Sequence, residues 1–230
     1  MIKEAMSSDH IINVWDRTYK ERLFDPHNKV VISGIVEEEL EFNYRQKSTK
    51  INFYKTVVAS IESSGRVNKI MIALSETIKN NIPTKKLKGK YIEASGKLRC
   101  YRGEAGDGHR FLRLYVLISK INVYDERKRS KDINEVYLDG YVCKEVVTLK
   151  TTMKTDYSIV VNRKKNWKQS DFFPCVARGR FSEYIKYLNP GDRVKFIGRI
   201  QSRIYPIGLS NGKEEWKEVN EVRLTKMIEI

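Results

Sequence analysis

The sequence contains few of the residues from which disulfide frameworks, metal sites and membrane anchors are built. It has only three cysteines and three histidines among 230 residues. Cys100, Cys143 and Cys175 are far apart and form no CxxC pair, so neither a disulfide framework nor a thiolate zinc site is expected. No apolar run approaches the roughly 18 residues of a membrane helix, and residues 1–9 show no secretory pattern. These absences predict a cytoplasmic protein without a metal or cofactor.

Groups suited to catalysis are also scarce. His10, His27 and His109 are isolated in the sequence, so no general base or histidine metal cluster stands out. The acidic run at 37–39 consists of immediate neighbours, which point to opposite faces of a strand and do not converge on a metal. The sequence therefore predicts a protein that is not an enzyme, and a single-strand nuclease is disfavoured.

The chain has an excess of positive charge. It carries 44 Lys and Arg residues against 29 Asp and Glu residues, for a net charge of +15. The excess is evenly spread, with 23 basic and 16 acidic residues in 1–127 and 21 and 13 in 128–230. A basic chain of this kind is expected to bind a polyanion, and nucleic acid is favoured over an acidic membrane surface.

Two segments of the chain repeat each other. Residues 28–34 (NKVVISG) and 134–140 (NEVYLDG) both read N-x-V-x-[IL]-x-G, 106 residues apart. A second block follows each of them: Gly89 precedes Gly96 by seven residues, as Gly191 precedes Gly198. Because order and spacing agree, the chain is predicted to contain two copies of one domain.

The repeat defines the predicted domain organisation. It consists of an N-terminal arm or helix (1–27), a first domain (28–123), a charged linker (124–133) and a second domain (134–230). Beyond the first strand of each copy, alternation of apolar and polar residues predicts strands at 53–61, 69–74, 90–98 and 111–121, and at 157–163, 171–177, 193–200 and 219–230. A short helix is predicted before each fourth strand, at 76–86 and 180–188. This plan is typical of the OB fold, so the predicted class is all-β, with two tandem OB-fold Greek-key barrels.

Cations and aromatic rings share strand faces and one loop. Cations neutralise phosphates, and rings stack on bases, so this mixture favours single-stranded nucleic acid. No helix stands out that could read a duplex groove. The candidates in the second copy are Arg163, Lys164, Lys165, Trp167, Phe172, Arg178, Arg199, Arg203 and Tyr205, and those in the first are Arg66, Lys97, Arg99 and Tyr101. The second copy is predicted to bind more strongly, because its loop 162–168 carries several cations and a tryptophan where the first copy has the tight turn 63–68.

Four segments of the second copy resemble the bacterial single-stranded DNA-binding protein family, and most closely its tandem two-domain form in Firmicutes. They are GYVCK at 140–144, VNR at 161–163, SDFFPCVARGR at 170–180 and GRIQSRIY at 198–205. The first copy is similar more loosely, through Asn28, Gly34, Ser64-Gly65, Gly89, Gly96 and Arg99.

The resemblance implies roles for particular residues. Phe172 and Tyr205 fall on base-stacking positions of the family, and Trp167 is near a third. Arg178 stands where the family usually has an aromatic residue. The resemblance also implies four barrels per assembly, and therefore a homodimer of this chain. The family's acidic C-terminal tip, which recruits repair proteins, has no counterpart in the strand-like segment 219–230.

The favoured prediction is a nucleoid-associated protein that coats single-stranded DNA in replication, recombination or repair, with replication or repair proteins as further partners. Two alternatives remain open from the sequence. One is a primosomal, replication-restart adaptor of the same fold that mainly binds a protein partner. The other is an RNA-binding OB module, since cations and rings do not exclude a 2′-hydroxyl group.

Overall fold

A computed structural model of the chain describes residues 27–84, 86–104, 110–149, 153–162, 169–208 and 214–229. The strands in the first half are β1 (Asn28–Val36), β2 (Glu41–Arg45), β3 (Asn52–Ile61), β4 (Val67–Ser75), β5 (Tyr91–Glu104) and β6 (Arg110–Tyr124). Those in the second half are β7 (Asn134–Val142), β8 (Val147–Leu149), β9 (Lys154–Asn162), β10 (Ser170–Arg178), β11 (Arg193–Gly208) and β12 (Glu214–Glu229). Two short helices are described, α1 (Glu76–Asn80) and α2 (Arg180–Ile185).

The first copy closes into a barrel of five strands. β1 pairs with β3 at one end and with β5 along its length, β3 pairs with β4, and β5 pairs with β6. A parallel pairing of β4 with β6, where Ile72 lies opposite Val116, completes the ring. Because one face of each strand is apolar, closure buries side chains such as Ile32, Val58 and Leu98 in the interior.

The second copy repeats the same ring. β7, β9, β10, β12 and β11 pair in that order, and β11 returns to β7. The β10–β12 pairing is parallel, as is β4–β6, and places Cys175 opposite Val222. The prediction of two tandem OB barrels in an all-β chain is confirmed.

Several elements differ in length from the sequence prediction. The short strands β2 and β8 were not expected, and β12 begins at 214 instead of 219. α1 ends at Asn80 and α2 at Ile185, earlier than the predicted 86 and 188. Ser75 caps α1 by accepting a hydrogen bond from the amide of Ile78 (3.3 Å). Within the described ranges, no helix has the length and apolar content needed to cross a bilayer.

The repeated glycines mark close approaches of backbone to backbone. A Cβ atom added at Gly96 would lie 2.0 Å from the carbonyl oxygen of Leu117, and one at Gly198 would lie 2.7 Å from that of Arg223. Side chains do not fit at these distances, so the strands can curve into a narrow barrel only where the residue is glycine.

The two barrels are joined by their first strands. β1 and β7 pair antiparallel, with Val30 opposite Val136. The repeated asparagines hold the flanking strands. Asn28 bonds the carbonyl oxygen and the amide of Leu98 (both 2.8 Å), and Asn134 bonds those of Ile200 (2.7 and 2.9 Å). The N-x-V-x-[IL]-x-G repeat therefore serves two purposes: its asparagine holds a neighbouring strand of the same barrel, and its strand pairs with the equivalent strand of the other barrel.

Candidate nucleic-acid interface

A second contact between the barrels places Phe172 at their boundary. The buried Asp171 carboxylate accepts hydrogen bonds from the Cys100 amide (3.2 Å) and from Arg99 Nη1 (2.8 Å). The Phe172 amide donates to Cys100 Sγ (3.1 Å). These bonds link β5 of the first barrel to β10 of the second and fix the backbone from which the Phe172 ring projects.

The same contact recurs at the other side of the joint without an aromatic residue. Asn68 Oδ1 accepts a hydrogen bond from the Ser202 amide (3.2 Å), and the Lys69 amide donates to Ser202 Oγ (3.1 Å). Asn68 and Lys69 occupy the positions in β4 that Asp171 and Phe172 occupy in β10. The boundary is therefore symmetric in its backbone and asymmetric in its side chains, with a ring at one site and an ammonium group at the other.

A groove of about 440 Å³ opens beside Phe172, and it is called the boundary groove below. Its lining comes from both barrels: Arg102, Leu112, Cys143, Lys144, Ser158, Phe172, Phe173 and Pro174. The Arg102 guanidinium carbon lies 4.8 Å from the centroid of the Phe172 ring, a cation–π distance. A partly exposed ring beside a guanidinium group can accept a stacked base and its neighbouring phosphate.

The charge of the boundary groove is positive. No acidic residue is among its described lining, whereas Arg102 and Lys144 are. Burial raises the pKa of the Cys143 thiol, and the nearby Lys144 and Arg102 charges oppose that rise. The groove therefore combines apolar walls with two cations, which suits a polyanion that carries flat bases.

Four arginines gather where the first barrel meets the second and are called the arginine cluster: Arg66, Arg178, Arg199 and Arg223. Arg199 lies directly opposite Arg223 in the β11–β12 pairing, and Val176, two residues before Arg178, lies beside Arg223. The first barrel contributes the fourth member, because Arg66 donates a hydrogen bond to the carbonyl oxygen of Ser202.

One carboxylate balances part of this charge. Glu62 Oε2 lies 2.9 Å from Arg199 Nη1 and is largely shielded from solvent. Burial and the neighbouring Arg199 and Arg178 charges lower the pKa of Arg223, and Glu62 partly offsets them. Arg199 Nε is buried without a hydrogen-bond partner in the described part of the chain. Four guanidinium groups and one carboxylate leave a surplus of positive charge, which can bind phosphate.

The other predicted cations and rings differ in how exposed they are and in whether they are paired with an acid. Arg99 is 12% exposed and paired with Asp171, so the face expected to be open is covered there by the second barrel. Gln201, on the corresponding face of β11, is also buried. Arg203 Nε lies 3.6 Å from the carboxylate of Glu221. Lys97 is partly exposed. Tyr101 is exposed, and the centroid of its ring lies 6.3 Å from that of Tyr115.

Several predictions fall on residues that the structure does not describe. Arg163, Lys164, Lys165 and Trp167 lie outside the described residues, as does the predicted helix at 8–24. Tyr205 belongs to β11, paired with Lys217, but its side chain is outside the described set. The roles assigned to these residues stay predictions.

Sequence reasoning missed Arg102, Lys144 and Arg223. Arg102 and Lys144 come from different copies and meet only because the barrels pair. Arg223 carried a usable signal, since it alternates with the apolar Val222 and Leu224 in the predicted last strand. Among the described residues, no group of His, Cys, Asp and Glu side chains converges as a metal site would.

Comparisons with known proteins identify the fold. No protein family and no curated protein matches the sequence. The structure is similar to the wild-type single-stranded DNA-binding protein of Thermus aquaticus, with a TM-score of 0.61 and 16% identity over 87% of this chain and 91% of that one. A deletion variant of that protein matches with the same TM-score and identity, over 88% and 95%. The N-terminal domain of PriB from Thermoanaerobacter tencongensis matches 43% of this chain and 98% of its own length, at 24% identity and a TM-score of 0.35.

The Thermus match spans both barrels of this chain and nearly the whole of the other protein. It therefore extends to the arrangement of two barrels in one polypeptide. The chain shares the fold of two tandem OB barrels with the solved single-stranded DNA-binding protein of Thermus aquaticus.

Proposed function

We propose that this protein binds single-stranded DNA without catalysing a reaction on it, and that the strand lies along the boundary groove and the arginine cluster. The observation that carries the proposal is the pairing of Arg102 with the Phe172 ring in a groove lined by both barrels. A stacked base gains about 1–3 kcal/mol on such a ring, and the gain does not depend on its sequence.

The electrostatics support the same ligand. The net charge is +15, and the arginine cluster sets four cations against one carboxylate, Glu62. Single-stranded DNA offers phosphates and unpaired bases together, so it can use both features at once. The fold shared with the Thermus protein, whose name states that it binds single-stranded DNA, agrees with this proposal.

The cellular role that we propose is the coating of DNA strands exposed in replication, recombination or repair. A homodimer would bring four barrels together, and the longer surface would then hold more nucleotides. Replication or repair proteins are proposed as further partners.

A titration with a fluorescent oligo-dT strand tests the proposal, alongside an RNA strand of equal length and the matching duplex. The proposal expects the single DNA strand to bind most tightly, and its affinity to fall as salt rises. Preference for the RNA strand would identify an RNA-binding module instead. Absence of binding to all three would overturn the proposal and favour the adaptor that binds a protein partner.

A further inference from the structure

The β2–β3 hairpin of the first barrel exposes a group of aromatic rings. Phe42 is 60% exposed and Tyr44 is 38% exposed. Phe42 packs edge-on against Tyr54 with ring centroids 6.2 Å apart, and Tyr44 stacks on Phe53 at 4.9 Å with the rings nearly parallel. Residues 41–55 are called the aromatic hairpin below. Rings held by other rings keep their orientation, so the exposed faces are ready-made platforms.

One cation lies over a ring of the aromatic hairpin, and others lie along the hairpin. Lys79 Nζ lies 4.1 Å from the centroid of the Tyr54 ring. The hairpin itself carries four cations and one acid: Arg45, Lys47, Lys50 and Lys55 against Glu41. Glu41 pairs with Lys55 at 3.5 Å, whereas Lys47 and Lys50 are exposed. An acidic or purely apolar partner surface would not complement both features.

The equivalent hairpin of the second barrel has no such character. Its described exposed residues are aliphatic or sulfur-containing: Val147, Leu149 and Met153. The two copies therefore differ both at the boundary groove and at this hairpin, and the aromatic rings are found on a different copy in each case. The second barrel has the ring in the boundary groove, and the first barrel has the rings on its hairpin.

From this arrangement, we infer that the aromatic hairpin is a second binding site for single-stranded DNA, in which Phe42 and Tyr44 stack on bases and the surrounding lysines neutralise phosphates. The inference rests on the proposed function, because it extends the same ligand to a second surface. A long strand then contacts the aromatic hairpin of the first barrel in addition to the boundary groove, which both barrels line.

The test uses the full chain with Phe42→Leu and Tyr44→Leu combined. Leucine keeps an apolar side chain and gives the hairpin the aliphatic character of its counterpart, so it removes stacking with little change in shape. The thermal unfolding of the variant is compared with that of the unaltered protein to confirm folding. A matched control replaces Val147 and Leu149 with alanine in the second hairpin.

Affinity is measured with a dT strand of about 8 nucleotides, within the site of one barrel, and with one of about 40, longer than two barrels require. The inference predicts a loss of at least about 5-fold on the long strand, the smallest factor for one lost stack, because the double variant removes two rings. The short strand and the control variant should show little change. A loss on the long strand alone supports the second site.

Three results would overturn the inference. The double variant could bind the long strand as the unaltered protein does, or it could lose affinity equally for both lengths. In a third case, sedimentation without DNA would show that the variant changes the oligomeric state, which would make the hairpin a contact between copies. Failure of the unaltered protein to bind either strand would instead refute the proposed function, so the two failures are distinguishable.

Discussion

Val30 lies directly opposite Val136 in the β1–β7 pairing, and these two valines are the equivalent residues of the two copies. A residue that faces its own equivalent marks an approximate twofold axis. The axis explains why the bonds of Asn28 recur at Asn134, and why the bonds of Asp171 to Cys100 recur between Asn68 and Ser202. The backbone contacts of the two barrels are related by this axis. Where equivalent side chains differ, as at Phe172 and Lys69, the two barrels have diverged.

Phe172→Ala is expected to weaken single-stranded DNA binding by about 1–3 kcal/mol, because one stacking ring is removed from the boundary groove. Tyr187→Ala is the matched control. Tyr187 is 73% exposed and has Lys186 over its ring at 4.8 Å, but it does not line the groove. Fluorescence titration of both variants checks the prediction, and equal affinity for the two would remove Phe172 from the site.

Removing charge from the arginine cluster is expected to change the salt dependence of binding. Each phosphate contact with a single strand contributes about 0.7 to the slope of log affinity against log salt. Arg178→Gln and Arg223→Gln should each reduce the slope by about that amount. The exposed Lys88, in a turn of the first barrel, provides the control. Slopes that match the unaltered protein in both variants would show that no phosphate binds at the cluster.

Asp171→Ala is expected to destabilise the fold by about 3–5 kcal/mol, because it leaves Arg99 and the Cys100 amide shielded without their shared partner. We infer from this geometry that Arg99 stabilises the contact between barrels. Urea unfolding provides the free energy. A loss below about 1 kcal/mol, within the range of surface pairs, would show that the ion pair does not hold the barrels together.

Acid is expected to destabilise the protein through Asp139. Burial alone would raise the pKa of this carboxyl, but hydrogen bonds from Arg193 and His27 outweigh burial and lower the pKa below its ordinary value. The unfolded chain therefore binds the proton more readily, so the stabilisation is present above about pH 4 and is lost as the pH falls through the folded-state pKa. Urea unfolding at several acidic pH values checks this. Asp139→Asn should flatten that part of the profile, and an unchanged profile would assign the acid sensitivity to other groups.

Gly96→Ala is expected to destabilise the first barrel by more than Gly198→Ala destabilises the second. The added Cβ would lie 2.0 Å from a carbonyl oxygen in the first case and 2.7 Å in the second. Overpacking of this kind costs roughly 1–3 kcal/mol or more. Urea unfolding of both variants measures the difference, and changes within about 0.5 kcal/mol for both would contradict the close approach.

The sequence predicted the barrels because their determinants are local and repeated. The alternation in 193–200 correctly places Val194, Phe196 and Ile200 in the core, and Gly198 sits where an added Cβ would lie 2.7 Å from the carbonyl oxygen of Arg223 in β12. The strand ends were less predictable, because β11 continues to Gly208 as a ribbon with β12 beyond the barrel.

The candidate site was only partly predictable, since it depends on contacts between copies. The alternation of side chains along a strand places Arg99 on the face away from the core. It does not reveal that Asp171 of the other barrel covers that face. Arg102 and Phe172 are 70 residues apart and meet only after β1 pairs with β7. The aromatic hairpin was not predicted for another reason: Phe42 and Tyr44 alternate with polar residues as core-facing residues do, yet every residue of Glu41–Arg45 is exposed.

The most direct test of the boundary groove is photocrosslinking of the full chain to a dT strand that carries iodouracil, followed by identification of the attached peptides. Light-activated iodouracil couples to a side chain that touches the base. The structure predicts a crosslink at Phe172, and its loss when unlabelled dT strand is added in excess. Crosslinks that occur only on peptides outside the boundary groove, the arginine cluster and the aromatic hairpin would contradict the account.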